Sequence, residues 1–476
     1  MKRVVVVGAG MTGLACAWAL RETCDVVVLE AGDRVGGNVR TIREEGFVMD
    51  AGPDAWLASK PEASALARDA GLGGEAIGTR PENRRVYVAW GGKLHPMPEG
   101  VVLGVPTRIA PMLTTRLFSL AGKMRMGLEP LVPRRRGGGE ETVADFVGRR
   151  LGHEAVTRLA GPLLGGIFAG DVHRISVDAA FPQLVEQEAK YGSLIVAMRS
   201  MWRHAKAANG SAFLSLRSGM ATFPETLARG LVDGSAGGGT SRAPSAVRLG
   251  ARVEKITRSA RGFEVVVSEH VAQSVDVGAL KSIVACDAVV LTVPPHTCAA
   301  LTAGLDGDAS ELVSHIRCGS SAAVFLGYRR KDVAHPLDAS GFVVSRPAGD
   351  TRSILTAATF VTSKWEHRAP DGHVLLRAFL GGAGREAVLA RDDAELALLA
   401  RTEVARYIGR LGEPVLARVF RHDRASPQPD LGHLERMRAL GERLARVPGL
   451  HVIGNGYGGT GIPDCIKQAN AVAKML

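Results

Sequence analysis

The sequence is poor in aromatic side chains, with 13 Phe, 5 Tyr and 5 Trp among 476 residues, and it has only six cysteines. No uninterrupted apolar run reaches eighteen residues, which argues against a membrane-spanning helix. Cys16, Cys24, Cys286, Cys298, Cys318 and Cys465 show no CxxC or other metal-ligand spacing. They read as reduced, buried thiols of a cytosolic protein, with no metal site. There is no internal repeat, and no nucleic-acid-binding motif or interleaving of basic and aromatic residues, so a nucleic-acid partner is not expected. The apolar run after Lys2 and Arg3 is only a strand long and enters a glycine-rich turn, so it reads as structure and not as a cleaved leader.

What the chain has in excess is glycine, 58 residues, and basic charge, 59 Lys and Arg against 48 Asp and Glu for a net +11. The length predicts two or three subdomains, and a 46% hydrophobic content predicts a well-buried globular protein. Three readings fit the charge: a polyanionic small substrate, an anionic membrane surface, or a solvated arginine-rich surface. The charge is concentrated between Val101 and Gly139, where Arg108, Arg116, Lys123, Arg125, Arg134, Arg135 and Arg136 face one acid, Glu129. Apolar residues alternate with them at helical spacing. This fits either helices lying in a membrane interface or a helical subdomain with basic solvent faces.

The glycines are placed where chemistry needs them. Val4–Val7 is a β run, Gly8-Ala9-Gly10-Met11-Thr12-Gly13 a turn opening a helix, and Val27-Val28-Leu29 a second β run ending in Glu30. Gly8 permits the tight turn, Gly10 lets the backbone approach a pyrophosphate, and Gly13 lets the helix pack on the strand. The pyrophosphate of a dinucleotide then sits on the helix N-terminus, and Glu30 accepts the ribose hydroxyls of its adenosine. At the other end, the β run Leu450–Ile453 leads through Gly454-Asn455-Gly456-Tyr457-Gly458-Gly459-Thr460-Gly461 into a helix opened by Ile462, Pro463 and Asp464. A helix N-terminus aimed at a flavin ring stabilises its anionic reduced form. Two such ends predict one cofactor site shared by both termini, with the substrate parts inserted between.

Between them, Thr142–Leu151 and Glu154–Leu164 read as helices. Arg134–Glu141 and Asp233–Ser245 read as loops. Val247–Ile256 and Phe263–Val267 read as short β runs, and Asp287–Pro295 as a buried parallel strand ending at a proline corner. The runs Ala322–Tyr328, Gly341–Val344, Ile354–Phe360 and His373–Leu380 predict an antiparallel sheet on the substrate side, and Glu395–Leu411 a helix.

The segment Glu30-Ala31-Gly32-Asp33-Arg34-Val35-Gly36-Gly37-Asn38 resembles the extension found in amine-oxidase-like FAD proteins, where paired glycines press a second backbone segment against the pyrophosphate. Along its whole length the chain resembles the protoporphyrinogen oxidases, including their coproporphyrinogen-oxidising relatives. The resemblance rests on Asp50–Ala55, Asn83–Val88, Gly166-Ile167-Phe168-Ala169-Gly170-Asp171 with Ile175-Ser176, Phe181-Pro182, Pro427-Gln428, Leu431–Arg436, Gly454-Asn455 and Asn470. It implies an α/β fold with a discontinuous Rossmann-like FAD-binding domain (1–78, 218–296, 446–476). It also implies an α+β substrate domain (79–99, 200–217, 297–445) and a helical subdomain (100–199) that is a candidate for membrane-interface contact. FAD is expected against Gly8, Ala9, Gly10, Met11, Thr12, Gly13, Glu30, Ala31, Gly37, Asn38, Gly52, Pro53, Asp54, Ala55, Val253, Thr460, Gly461 and Ile462. A tetrapyrrole is expected against Arg84, Phe168, Gly170, Ile354 and Asn455, with the Arg84 guanidinium on a propionate.

The implied activity is oxidation of a porphyrinogen to the porphyrin of haem biosynthesis. Six electrons leave in three flavin cycles, as hydride from bridging carbons with loss of pyrrole N–H protons. O2 is the expected acceptor, giving H2O2. The expected location is the cytoplasm, with the cytoplasmic membrane face, a homodimer and hand-over to the next haem-pathway enzyme left open. No catalytic base stands out, and His433 qualifies only by residue type. The chain departs from the family pattern at Asp54, where relatives often carry Asn, and in the polar stretch Arg424-Ala425-Ser426. Two other readings remain. One is an FAD oxidase or desaturase of amines or carotenoids, although an amine oxidase calls for an aromatic cage and Tyr457 stands alone in its loop. The other is a non-catalytic FAD-folded partner protein.

Overall fold

The computed structural model describes residues 1–135, 137–205, 210–234, 246–269, 280–346 and 353–476. Arg136 and residues 235–245 of the expected loops lie outside them.

A parallel five-stranded sheet is built in the order Ala246–Arg248, Asp25–Leu29, Arg3–Val7, Ala288–Leu291, Leu450–Val452. The N-terminal valines are central, with Val4 opposite both Val26 and Ala288. Continuous valine suits a strand covered on both faces. One face is covered by the helices Met11–Leu20, Thr222–Asp233 and Ile462–Ala473, whose Leu14, Leu227 and Ile466 join Val4, Val6 and Val28 in one core. On the other lie the antiparallel strands Ala251–Ser259, Gly262–Glu269 and Leu280–Cys286 with the helices Pro295–Thr302 and Gly307–Ser314. Helix His433–Leu444, placed by sequence with the substrate part, packs Leu440 into this second core.

A seven-stranded sheet runs Leu416–Pro427, Cys318–Arg329, His373–Gly381, Leu355–Phe360, Gly341–Val344, Val86–Trp90, Lys93–Pro96. It is antiparallel as expected except between Gly341–Val344 and Val86–Trp90, which are parallel. These two strands are far apart in the chain and no hairpin constrains their direction.

The helical part, centred on Phe146, Leu159 and Leu164, packs on Val88 and Val343 of this sheet. Thr142 caps helix Val143–Leu151 by accepting from the Asp145 N–H at 3.0 Å. The expected helix at Glu154–Leu164 is instead π-helical over Val156–Gly165, with Pro162 inside it. A proline lacks the N–H that α-helical pairing would require there.

Candidate functional site

The first glycine turn is shaped by contacts that exclude side chains. Gly8 has φ 102° and donates to the Leu29 carbonyl at 2.7 Å. A Cβ at Gly13 would lie 2.0 Å from the Gly8 oxygen, whereas a Cβ at Gly10 would meet no protein atom within 4 Å. The space over Gly10 is thus kept for something other than protein. Met11, Thr12 and Gly13 form the first turn of the helix, whose orphan N–H groups lie on that side.

Glu30 receives the Ala9 N–H at 2.8 Å on one oxygen and the Gly32 N–H at 2.8 Å on the other, so its carboxylate braces the turn. Ala31 follows it, and Ala251 donates to the Glu30 carbonyl at 2.8 Å, which brings the strand of buried Val253 alongside. The second glycine pair closes on the first turn: Gly36 donates to the Ala9 carbonyl at 2.7 Å, and a Cβ on Gly37 would stand 3.3 Å from the Gly10 Cα. Gly52 lies so near Asn38 that a Cβ there would be 1.7 Å from the Asn38 oxygen.

The C-terminal loop joins the same place. Gly454 faces Thr12, Gly461 precedes helix Ile462–Ala473, and Asp464 returns to accept from the Gly461 N–H at 3.3 Å. Thr460 adjoins this turn. Two asparagines from opposite ends of the chain, Asn38 and Asn455, both direct Nδ2 at the Ala425 carbonyl at 3.5 Å. The Asn455 Oδ1 is buried without a partner among the described residues, a polar atom awaiting a donor. Open space at Gly10, two helix N-termini and this unsatisfied oxygen fit a dinucleotide with a hydrogen-bonding ring at its far end.

Pro53 leads to Asp54, whose carboxylate receives Lys364 Nζ at 2.7 Å and Trp365 Nε1 at 2.9 Å, while Ala55 packs beside them. Burial alone would raise the Asp54 carboxyl, but Lys364 and Arg377 outweigh it and hold the group well below the usual carboxylate range. Asp54 is ionised and turned into the protein. Its neighbour Asp50 is pushed the other way, burial prevailing over Arg368. A cavity of about 310 Å³ lies between this segment and strand Leu416–Pro427, lined by Arg34, Gly37, Asn38, Arg40, Ala51 and His422 among others.

The expected tetrapyrrole residues separate into two places. Phe168 is buried and meets Phe181 edge-on at 5.9 Å. Its carbonyl accepts from Gln428 Nε2 at 2.8 Å, which donates also to Ser426. A Cβ on Gly170 would be 2.2 Å from the Gln428 Oε1, an oxygen that is itself buried and has no partner among the described residues. Ile354 joins through Gly381, which donates to its carbonyl, while Gly382 lies against the Ala169 oxygen. Asn455 is connected through Ala425.

Arg84 is elsewhere. It precedes Val86, which pairs with Gly341 and, across that strand, Thr359, the end of strand Leu355–Phe360 opposite Ile354. Its side chain is exposed and makes no ion pair or hydrogen bond among the described residues. The neighbouring Asn83 bonds the Ser363 carbonyl at 3.1 Å, one residue before Lys364, so the Arg84 segment and Asp54 share one support.

The sequence reading passed over Gln428 as an individual residue, and also Lys364, Arg377 and His422. Only the Pro427-Gln428 string signalled any of these. His433 is buried, its Nδ1 without a partner among the described residues, and its pKa is pushed down to about 4 by burial.

The family model for flavin-containing amine oxidoreductases matches residues 11–476. The chain is 32% identical to the coproporphyrinogen III oxidase of Bacillus subtilis (strain 168), over 99% of this chain and 97% of that one. It is 29% identical to the chloroplastic protoporphyrinogen oxidase of Oryza sativa subsp. japonica, over 99% of this chain and 87% of that one. The crystal structure of an Exiguobacterium sp. 255-15 protein assigned as a protoporphyrinogen oxidase superposes with a TM-score of 0.83 at 30% identity, covering 100% of this chain and 98% of that one. Putrescine oxidase shares the fold, at a TM-score of 0.66 and 19% identity. Through its full-length match, the chain belongs to the flavin-containing amine oxidoreductase family and is an FAD-dependent oxidoreductase.

Proposed function

We propose that this protein oxidises a porphyrinogen to the corresponding porphyrin, with coproporphyrinogen III as the first substrate to test and protoporphyrinogen IX as the second. The observation that carries the reading is full-length similarity, at about a third identity, to a bacterial enzyme named for the first of these. FAD supplies a two-electron acceptor, and O2 is the proposed terminal acceptor, with three cycles accounting for six electrons. The chain's own part is to bind and orient. The turns at Gly8–Gly13 and Gly36–Asn38 hold the pyrophosphate, Glu30 the ribose, and Gly52–Ala55 with Thr460–Ile462 the ring. Phe168, Gly170, Ile354 and Asn455 border the macrocycle, and Arg84 takes a propionate.

Such a reaction depends on placing a bridging carbon correctly more than on acid–base strength, since aromatisation favours the product. The proposed setting is the cytoplasm, with the exposed apolar and basic surface between Val102 and Leu131 resting on an anionic membrane face. No helix among the described residues is long and apolar enough to cross a membrane. The deciding experiment is turnover of the two colourless porphyrinogens side by side under air, read by porphyrin fluorescence. A yellow, flavin-loaded protein that oxidises neither of them, but does oxidise an amine or a carotenoid, overturns the proposal.

A further inference from the structure

The turn that carries Phe168 and Gly170 is held in a strained shape. Ala169, between them, has φ 47°, a left-handed backbone that residues with a Cβ seldom take. Such strain persists where the surroundings fix a turn from several sides, and it clusters at functional sites. Three contacts fix this one. Gly170 donates to the Gly165 carbonyl at 3.0 Å, and the Ala169 carbonyl accepts from the Ala383 N–H at 2.9 Å. The Phe168 carbonyl accepts from Gln428 Nε2 at 2.8 Å.

Of these three contacts, only the last is made by a side chain. Gln428 is 2% exposed, and its backbone N–H donates to the Arg317 carbonyl at 2.8 Å. Both hydrogens of its amide are used, one on Phe168 and one on the Ser426 carbonyl at 2.8 Å. A flipped amide would set its oxygen against two carbonyls, so the contacts demand this orientation. The oxygen is then directed at Gly170, 2.2 Å from the point a Cβ would occupy, and has no donor among the described residues. On the nitrogen side Gly319 passes so close that a Cβ there would stand 3.3 Å from Nε2.

A buried acceptor without a donor costs stability that an apolar side chain of the same length would spare. The amide brings a fixed spacing instead. Phe168 belongs to the helical part, whereas Ser426 ends the edge strand of the seven-stranded sheet. Next to Ser426, the Ala425 carbonyl receives Asn38 and Asn455 from the dinucleotide side. One buried amide thus ties the Phe168–Gly170 turn to the segment that meets the two asparagines.

We propose that Gln428 is a positioning residue for the porphyrinogen, its amide setting Phe168 and Gly170 at a fixed distance from Ser426 and so fixing where the macrocycle rests. This rests on the porphyrinogen reading above, in which Phe168 and Gly170 border the macrocycle. Gln428 acts through those two residues and not on the reacting atoms. Hydride transfer needs the bridging carbon correctly placed, and a misplacement on the order of 1 Å lowers such a rate about 100-fold.

The test is flavin reduction without O2 by coproporphyrinogen III, or by protoporphyrinogen IX where wild type oxidises only that one. It is followed at the flavin absorbance in protein loaded with FAD, with reduction by dithionite as the control. Gln428→Met has a similar length and volume but no amide. Its limiting rate at saturating porphyrinogen should fall about 100-fold, while dithionite reduces it as fast as wild type. A residue needed only for stability would lower the fraction of protein that loads and leave the rate of the loaded fraction unchanged. Gly170→Ala keeps Gln428 and adds a methyl where its oxygen stands, so it should slow reduction too. It decides the question where Gln428→Met holds no flavin. Gln428→Ser removes that oxygen, and the Ile175 Cδ1, 2.8 Å from the same point, is the tip of a movable side chain. Gly170→Ala should therefore add little further loss in the Gln428→Ser background. A loaded Gln428→Met or Gly170→Ala reduced at the wild-type rate overturns the proposal. So do losses from Gly170→Ala and Gln428→Ser that multiply in the double variant. Wild-type protein that oxidises no porphyrinogen at all would instead remove the functional reading on which this one stands.

Discussion

At the scale of single residues, the two ends of the proposed site make opposite demands on a side chain. Gly13 must have none: a Cβ 2.0 Å from the Gly8 oxygen meets backbone, which cannot swing aside as a side-chain tip could. Gly13→Ala is expected to yield protein without bound flavin, checked by the 450-nm-region absorbance of the purified chain against wild type. Arg84 must have a long one. Its guanidinium is exposed and unpaired among the described residues, so it stabilises nothing internal and its removal should leave folding unchanged. If it binds a propionate, the lost charge-assisted bond is worth about 1.5–3 kcal/mol, which raises KM roughly 10- to 100-fold while kcat moves less. Steady-state kinetics of Arg84→Ala on coproporphyrinogen III measure this, and an unchanged KM removes Arg84 from the site.

At the scale of elements, legibility in the sequence followed how local the determining forces are. The strand, turn and helix at residues 3–20 were readable because the tightest constraint there, Gly13 against the Gly8 oxygen, lies five residues away, and the Ala288–Leu291 strand because burial on both faces demands an unbroken apolar run. Strand Leu416–Pro427 was not read. It lies at the edge of its sheet, and Arg418, Arg421, His422 and Arg424 leave it no apolar alternation. The parallel pairing of Val86–Trp90 and the π-winding around Pro162 depend likewise on partners remote in sequence.

The helical part has a buried polar device that composition alone hides. Arg150, fully buried, binds Glu129 and Glu188, and Glu129 also receives the Leu194 N–H at 2.9 Å. Removing the cation strands the buried Glu129 carboxylate, whereas Glu188 keeps Arg149 at 2.8 Å. Arg150→Met should therefore destabilise the protein by about 3–5 kcal/mol, read as a lowered denaturant midpoint. Helix His433–Leu444 carries a second device. His433 titrates near 4 when folded and near 6.5 when unfolded, so the unfolded chain binds more protons between these values. Stability is then fully present above 6.5, declines as pH falls toward 4 and levels below. His433→Gln should reduce that slope in a series of denaturation curves across the window.

At the scale of the whole molecule, the uneven charge acquires a direction. The stretch from Val102 to Leu131 folds into two short helices, Ile109–Thr114 and Leu120–Gly127, and it leaves Ile109, Leu113, Leu120, Met124, Leu128 and Leu131 exposed. Leu120 and Leu131 are 74% and 79% accessible, values unusual for leucines that have a core to enter. Arg108, Arg116, Lys123 and Arg125 lie among them. The one acid of the stretch, Glu129, is turned inward onto Arg150 and adds no negative charge to the surface. Arg108 pairs with Glu99, while Arg116, Lys123 and Arg125 form no ion pair among the described residues. An apolar patch carrying these three cations is the surface expected of a helix pair lying on anionic lipid headgroups. The protein should co-sediment with vesicles containing phosphatidylglycerol more than with pure phosphatidylcholine, and salt should weaken the binding as headgroup charge is screened. Leu120→Glu with Met124→Glu should abolish binding while leaving the flavin spectrum intact, since both side chains point away from the core. Equal partitioning of wild type and double variant would show that Leu120 and Met124 face water or another protein.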